Sequence, residues 1–224
     1  MIRLPPQLPL DLGHEPSLTR DDFMVAPCNQ VAVHWVDRWP DWPTHAMILI
    51  GPPAAGKSHL ARIWAARSGA RFITPGEIES VLNRGDTPGP LVLDQADLLI
   101  GDKESESALF HLYNFTKEQR THLLLPMRAA PFALSFTVPD LASRLRSVLT
   151  IAIEEPDDDL LSALLVKLFH DRQIDVSEDL IRYLVPRMHR SFAAARDLVE
   201  RADALAMARQ SPVTIPLMRE LLQG

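Results

Sequence analysis

One segment constrains this chain more than any other: Ala46-Met47-Ile48-Leu49-Ile50 followed at once by Gly51-Pro52-Pro53-Ala54-Ala55-Gly56-Lys57-Ser58. An unalternated apolar run of that length suits a strand buried on both faces of a parallel sheet. The next eight residues fit G-x-x-x-x-G-K-[ST] in full, and His59 to Arg67 continues with helical periodicity. Strand, loop and helix in that order make a phosphate-binding turn, because the loop N–H groups and the helix N-terminus converge on anionic oxygens. Gly56 lets the backbone approach closely. Lys57 brings a point charge to the β- and γ-phosphates, and Ser58 offers its hydroxyl to a magnesium ion. Pro52 and Pro53 stiffen the loop. Pro53, Ala54, Ala55 and His59 are counted with Gly56, Lys57 and Ser58 as nucleotide contacts.

Such a loop needs a second strand bearing an acid. Leu91-Val92-Leu93-Asp94 supplies it, with Asp94 emerging where it can hold the magnesium shell or, on the blander reading, cap the next turn. Gln95 follows, where a catalytic acid would be useful; an amide orients water but takes no proton. Asp97 is a substitute two residues on. Further strands are expected at Arg71–Thr74, His122–Leu125 and Leu149–Ile153, with helices between them, for example Glu104–Arg120. The alternation argues an α/β fold with a parallel sheet over residues 20–156. Before it, a helix start is expected at Thr19-Arg20-Asp21-Asp22. A helix from Asn29 to Trp39 is capped by Asn29 and buries Val31, Trp35 and Val36. Beyond Pro156 only helical periodicity is evident, with Asp157 and Ser177 at cap positions, so residues 157–224 read as a small all-helical lid.

Composition sets the outer limits. The chain has 19 prolines where about 11 are usual, and most fall at expected joints, Pro126 among them and Pro186 excepted. A net charge of -6 speaks against a basic nucleic-acid footprint over the whole domain. The single Cys28 excludes an internal disulfide framework and fits a reducing compartment, where it reads as a small buried residue. No apolar run is long enough to span a membrane, so a cytoplasmic location is expected. The eight histidines show no metal-ligand spacing, and Trp35, Trp39 and Trp42 read as packing residues.

The order of parts resembles an AAA+ P-loop NTPase core followed by a helical lid. Asp22-Phe23-Met24-Val25-Ala26-Pro27-Cys28-Asn29, Gly56-Lys57-Ser58-His59-Leu60, Ala108 to Asn114 and Pro139 to Leu145 are similar to segments of the DnaA clade. The resemblance covers about residues 20–222. DnaA proteins continue into a basic DNA-binding domain, whereas this sequence ends at Gly224, as in short relatives of the Hda type that inactivate DnaA. It implies bound ADP or ATP with Mg2+ and an adenine pocket that includes Val25 and Asn29. It also implies an arginine finger at Arg144, for which an ordinary surface ion pair is the alternative and Arg146 a competitor. Two departures weaken the grip on a γ-phosphate. Pro126-Met127-Arg128 lacks the polar residue expected at the end of the fourth strand, and Ala193 stands where the lid would carry an arginine, flanked by Arg190 and Arg196.

In the tail, residues 1–19, Gln7-Leu8-Pro9-Leu10-Asp11-Leu12 resembles the peptide by which proteins dock on the DNA polymerase III sliding clamp. In an extended strand Leu8, Leu10 and Leu12 share one face, and Gln7 adds side-chain hydrogen bonds. The expected function is therefore a clamp-tethered regulator that promotes hydrolysis of ATP held by DnaA through Arg144, limiting replication initiation and reaching DNA only indirectly. The alternatives are a stand-alone ATPase acting as a replication motor or helicase loader, and a clamp-bound adaptor with a purely structural nucleotide. Self-association is left open.

Overall fold

The computed structural model describes residues 20, 23–83 and 89–223. The clamp-type peptide, with Gln7, Leu8, Leu10 and Leu12, lies outside the described residues, as do Thr19, Asp21 and Asp22. The described stretch from Phe23 to Ala26 is not helical, so no helix runs through it from the expected start, and the first helix among the described residues is α1, Gln30–Asp37.

Five strands, β1 (Ala46–Ile50), β2 (Arg71–Ile73), β3 (Leu91–Leu93), β4 (Leu123–Met127) and β5 (Leu149–Ala152), form one parallel sheet in the order β2-β3-β4-β1-β5. Alternation along the strands feeds two apolar layers. Met47, Leu49, Val92, Leu124 and Ile151 face α1 and α2 (Lys57–Ser68), where Ala32, Val36, Leu60 and Trp64 meet them. Ile48, Leu91, Leu93, Leu123 and Leu125 face α3 (Ile78–Asn83), α4 (Lys103–Glu118) and α5 (Pro139–Arg146). Of the expected face of α1, Val36 is buried and Trp35 packs half-buried on the core, but Val31 is 52% exposed, and Ala32 and Val33 are buried instead. Both stripes are apolar in sequence, but the small Ala32 lets the helix lie close against its neighbours. The tryptophans pack: Trp42 stacks on Trp64 with centroids 5.1 Å apart and donates its indole N–H to the Trp35 carbonyl.

β4 runs two residues further than expected, straight through Pro126. A proline inside a sheet forfeits a ladder bond. The Leu123 N–H donates to His45 on the β1 side, so by alternation the nitrogens of Leu124 and Pro126 face β3. Pairing with β3 stops at Val92 and Leu124, so Pro126 falls where little is lost.

The C-terminal helices α6 (Asp158–His170), α7 (Glu178–Leu184), α8 (Phe192–Arg209) and α9 (Ile215–Gln223) share a core of their own. Side chains cap three of them: Asp157 accepts from Leu160 N–H, Ser177 from Leu180 N–H and Ser191 from Ala194 N–H. Pro186 falls in a 3-10 turn, Val185–Arg187, that follows directly on α7. Leu160 and Phe192 leave this bundle to join the apolar layer that contains Phe23, Ala55 and Leu60, which fastens the lid beside the phosphate loop.

Candidate nucleotide site

The site lies beyond the carboxyl ends of β1, β3 and β4, where open α/β sheets bind ligands. Because β4 lies between the other two, the end of β4 forms the floor between the loop after β1 and the acid after β3. A cleft of about 170 Å³ is lined by Pro53, Ala54, Lys57, Ser58, Asp94, Gln95, Asp97, Pro126, Met127 and Arg128.

The loop's shape is set by two left-handed residues, Ala54 at φ 62° and Gly56 at φ 87°. At Gly56 the glycine is required twice over. A side chain strains that φ, and a Cβ would come within 2.9 Å of the Phe23 ring. Phe23 also meets the His59 ring edge-on at 5.2 Å, so the segment before α1 lies directly against the loop. Lys57 Nζ donates to the carbonyls of Gly51 at 2.7 Å and Pro52 at 2.8 Å. Burial pushes its ammonium below the ordinary lysine range and Arg128 adds to this, against the pull of Asp94 and Asp97. Ser58 Oγ donates to Asp94 Oδ2 at 2.6 Å, and the Gln95 N–H donates to Asp94 Oδ1 at 2.9 Å. The loop hydroxyl and the strand acid expected to share a magnesium ion are thus in direct contact. Gln95 itself is exposed and left-handed at φ 56°, turning the chain back toward the cleft.

These residues fit a nucleotide phosphate with its cation. Two cationic side chains, a glycine-shaped loop and a hydroxyl–carboxylate pair converge there. One buried carboxylate oxygen, Asp97 Oδ1, has no hydrogen-bond partner. Among the described residues no group of three His, Cys, Asp or Glu could hold a metal by itself. Magnesium bound through phosphates needs only one or two carboxylates.

The remaining expected site residues are not among those that line this cleft. Val25 is 51% exposed. Asn29 is buried and its amide is already engaged: Oδ1 accepts from Ala26 N–H and Nδ2 donates to the Met24 carbonyl, both at 2.9 Å. It therefore shapes the segment that carries Val25 instead of capping α1, where it makes no side-chain bond. Cys28 is half-buried, and its carbonyl accepts from Glu154 N–H. In the lid, Arg190 pairs with Asp158 at 2.8 Å, Ala193 is part-buried and Arg196 is exposed.

Arg144 does not line the cleft. It is exposed in the last turn of α5 and, among the described residues, takes part in no ion pair; burial pushes the Tyr113 hydroxyl above the ordinary tyrosine range, and the Arg144 charge partly opposes that. Its competitor Arg146 is engaged over the Phe136 ring at 5.8 Å. Sequence reasoning missed Glu106, a fully buried carboxylate that accepts from the N–H groups of Gly101, Thr137 and Val138 and so ties the start of α5 to α4.

Residues 157–222 match the family described as Hda, lid domain. Domain III of the replication initiation protein DnaA from Thermotoga maritima matches the chain with a TM-score of 0.77 at 18% identity, over 93% of this chain and 96% of that one. AMPPCP-bound DnaA from Aquifex aeolicus gives a TM-score of 0.67 at 16% identity, covering 83% of this chain and 65% of that one. The Thermotoga maritima RuvB Holliday junction branch migration motor gives 0.69 at 15% identity, covering 92% and 72%. At these identities the likeness shows that the chain shares the fold of these proteins. Among the described residues no helix is long and apolar enough to cross a membrane.

Proposed function

We propose that this chain, a DnaA-related AAA+ protein with an Hda-type lid, binds an adenine nucleotide with Mg2+ and acts on ATP held by DnaA. The observation that carries this reading is the pairing of an Hda-type lid with an α5 arginine that is exposed, unpaired among the described residues and outside the chain's own cleft. A guanidinium so placed is available to a neighbour's γ-phosphate, where such a group contributes about 10³–10⁵ in rate in other systems.

The chain's own residues hold rather than hydrolyse. Lys57 and the loop N–H groups bind phosphate, Ser58 and Asp94 hold the cation, and the Phe23–Asn29 segment supports the adenine with Val25 at its surface. Gln95 has no proton-accepting carboxylate, Pro126 and Arg128 replace a neutral polar group at the end of β4, and Ala193 offers no charge from the lid. These features support weak intrinsic turnover over the motor reading. Residues 7–12 tether the protein to the sliding clamp, and so to DNA.

The test is hydrolysis of DnaA-bound ATP in the presence of clamp loaded on DNA. The full chain accelerates it, and deleting Gln7 to Leu12 removes the acceleration while the isolated chain shows little turnover of its own. Rapid DNA-dependent turnover by the isolated chain would favour a motor instead.

A further inference from the structure

Resting on the arginine reading above, we propose that Glu106 is the positioning residue for Arg144. It holds the start of α5 against α4, so that the guanidinium in the last turn of α5 stands where a neighbour's γ-phosphate needs it. α5 has eight residues and no side-chain cap of its own: Val138 stands at its N-cap and Pro139 follows. In a capping box the acid that accepts from the N-cap N–H is the helix's own third residue. Here that residue is Leu141, and the acid comes from another helix, 32 positions before Val138. Glu106 Oε2 accepts from Val138 N–H at 2.7 Å and from Thr137 N–H at 2.9 Å, while Oε1 accepts from Gly101 N–H at 2.8 Å. A carboxylate in that place meets an orphan N–H of α5 and the positive end of its dipole together.

A capping acid on α5 itself would move with α5. One on α4 ties the helix to its neighbour, and a fully buried carboxylate is costly wherever its donors move away. Glu106 opens the buried stripe of α4, and Leu109, Leu112 and Tyr113 along that stripe share an apolar layer with Leu141 and Leu145 of α5. The apolar contacts choose which face of α5 turns inward. The directional hydrogen bonds to Glu106 set where its first turn lies. Tyr113, seven residues on from Glu106, is close enough to Arg144 for the guanidinium charge to act on its hydroxyl, so the far end of α5 runs over the same stripe. From Val138 to Arg144 is about 9 Å of helix. A shift at the start is therefore carried to the exposed guanidinium.

The experiment is hydrolysis of DnaA-bound ATP, with clamp loaded on DNA, followed against the concentration of the full chain for wild type, Arg144→Ala, Glu106→Gln and Glu106→Asp. Circular dichroism at the assay temperature checks that each is folded. Glu106→Gln turns one acceptor oxygen into a donor that faces N–H groups. Glu106→Asp keeps the charge and both oxygens on a stem one methylene shorter, and carries the test if the first variant does not fold. In each folded Glu106 variant the maximal rate should fall about 10- to 100-fold, the effect of displacing a reacting group by about an ångström. The half-saturating concentration and the affinity for a fluorescent ADP analogue should stay at their wild-type values. More protein compensates for a smaller folded fraction or a weaker complex, but not for a displaced guanidinium. A wild-type maximal rate in either folded variant, or a loss that saturating protein restores, would overturn the role of Glu106. A wild-type rate in Arg144→Ala would overturn the arginine reading itself.

Discussion

Glu106 and Asp97 are two carboxylates on the same side of the sheet, and they are treated in opposite ways. Glu106 is 0% exposed and fully satisfied, with Oε1 accepting from Gly101 N–H at 2.8 Å and Oε2 from Val138 N–H at 2.7 Å, while the Thr137 N–H lies within reach of both. Asp97 keeps a buried oxygen that bonds to nothing. The first pattern holds a fold together, since buried charge is tolerated where backbone donors surround it. The second leaves an acid without such support, so burial and charge alone do not tell how much a carboxylate contributes to the fold; its hydrogen-bond partners do.

Breaking the satisfied carboxylate should have the largest effect. Glu106→Ala leaves several buried N–H groups unpaired and should lower unfolding free energy by about 3 kcal/mol or more, measured by urea denaturation. Burial would raise this carboxyl's pKa, but the hydrogen bonds from Gly101, Thr137 and Val138 outweigh it and hold it below the ordinary glutamate value of 4.5. The stability it supplies is therefore fully present above 4.5 and lost as pH falls from there through the lower value of the folded state. In Glu106→Gln this acid-side loss should be absent from the pH–stability curve.

Gly56→Ala comes next. Its left-handed φ and the contact with Phe23 should cost about 1–3 kcal/mol and abolish nucleotide binding, read by calorimetry. A smaller effect belongs to the opposite end of the sheet, where burial holds His45 and His122 below the ordinary histidine range. Groups with depressed folded values bind more protons when unfolded. Stability should be complete above about pH 6.5 and decline below it, and His122→Gln should flatten the decline in thermal melts across that range. Asp97→Asn should leave stability unchanged or raise it, the mirror image of Glu106. Arg144→Ala, exposed and unpaired among the described residues, should change stability by no more than about 0.5 kcal/mol.

What was legible in the sequence was local. The phosphate loop declares itself because strand, glycine spacing and helix are contiguous, and Asp94 because it ends an apolar strand. The helix caps at Asp157 and Ser177 were readable for the same reason. What escaped depends on distant parts of the chain. Glu106 meets Thr137 from 31 positions away, so it looks like one more exposed helix acid until the loop arrives. Asn29 resembles a cap and instead fastens the turn before it, a choice made when Phe23 packs on the loop. Val31 and Val33 offer α1 two apolar faces, and only the packing around Ala32 selects one. Pro126 looks like the end of a strand because the absence of a ladder partner on the β3 side is invisible along the chain.

The decisive measurement is of where the chemistry occurs. DnaA is loaded with labelled ATP, this chain with unlabelled ADP, and a single turnover is followed in the presence of clamp on DNA. Wild type should accelerate loss of the DnaA-bound label, and the Arg144→Ala protein, equally folded and still binding ADP, should leave it at the rate of DnaA alone. Acceleration undiminished in Arg144→Ala would contradict the account.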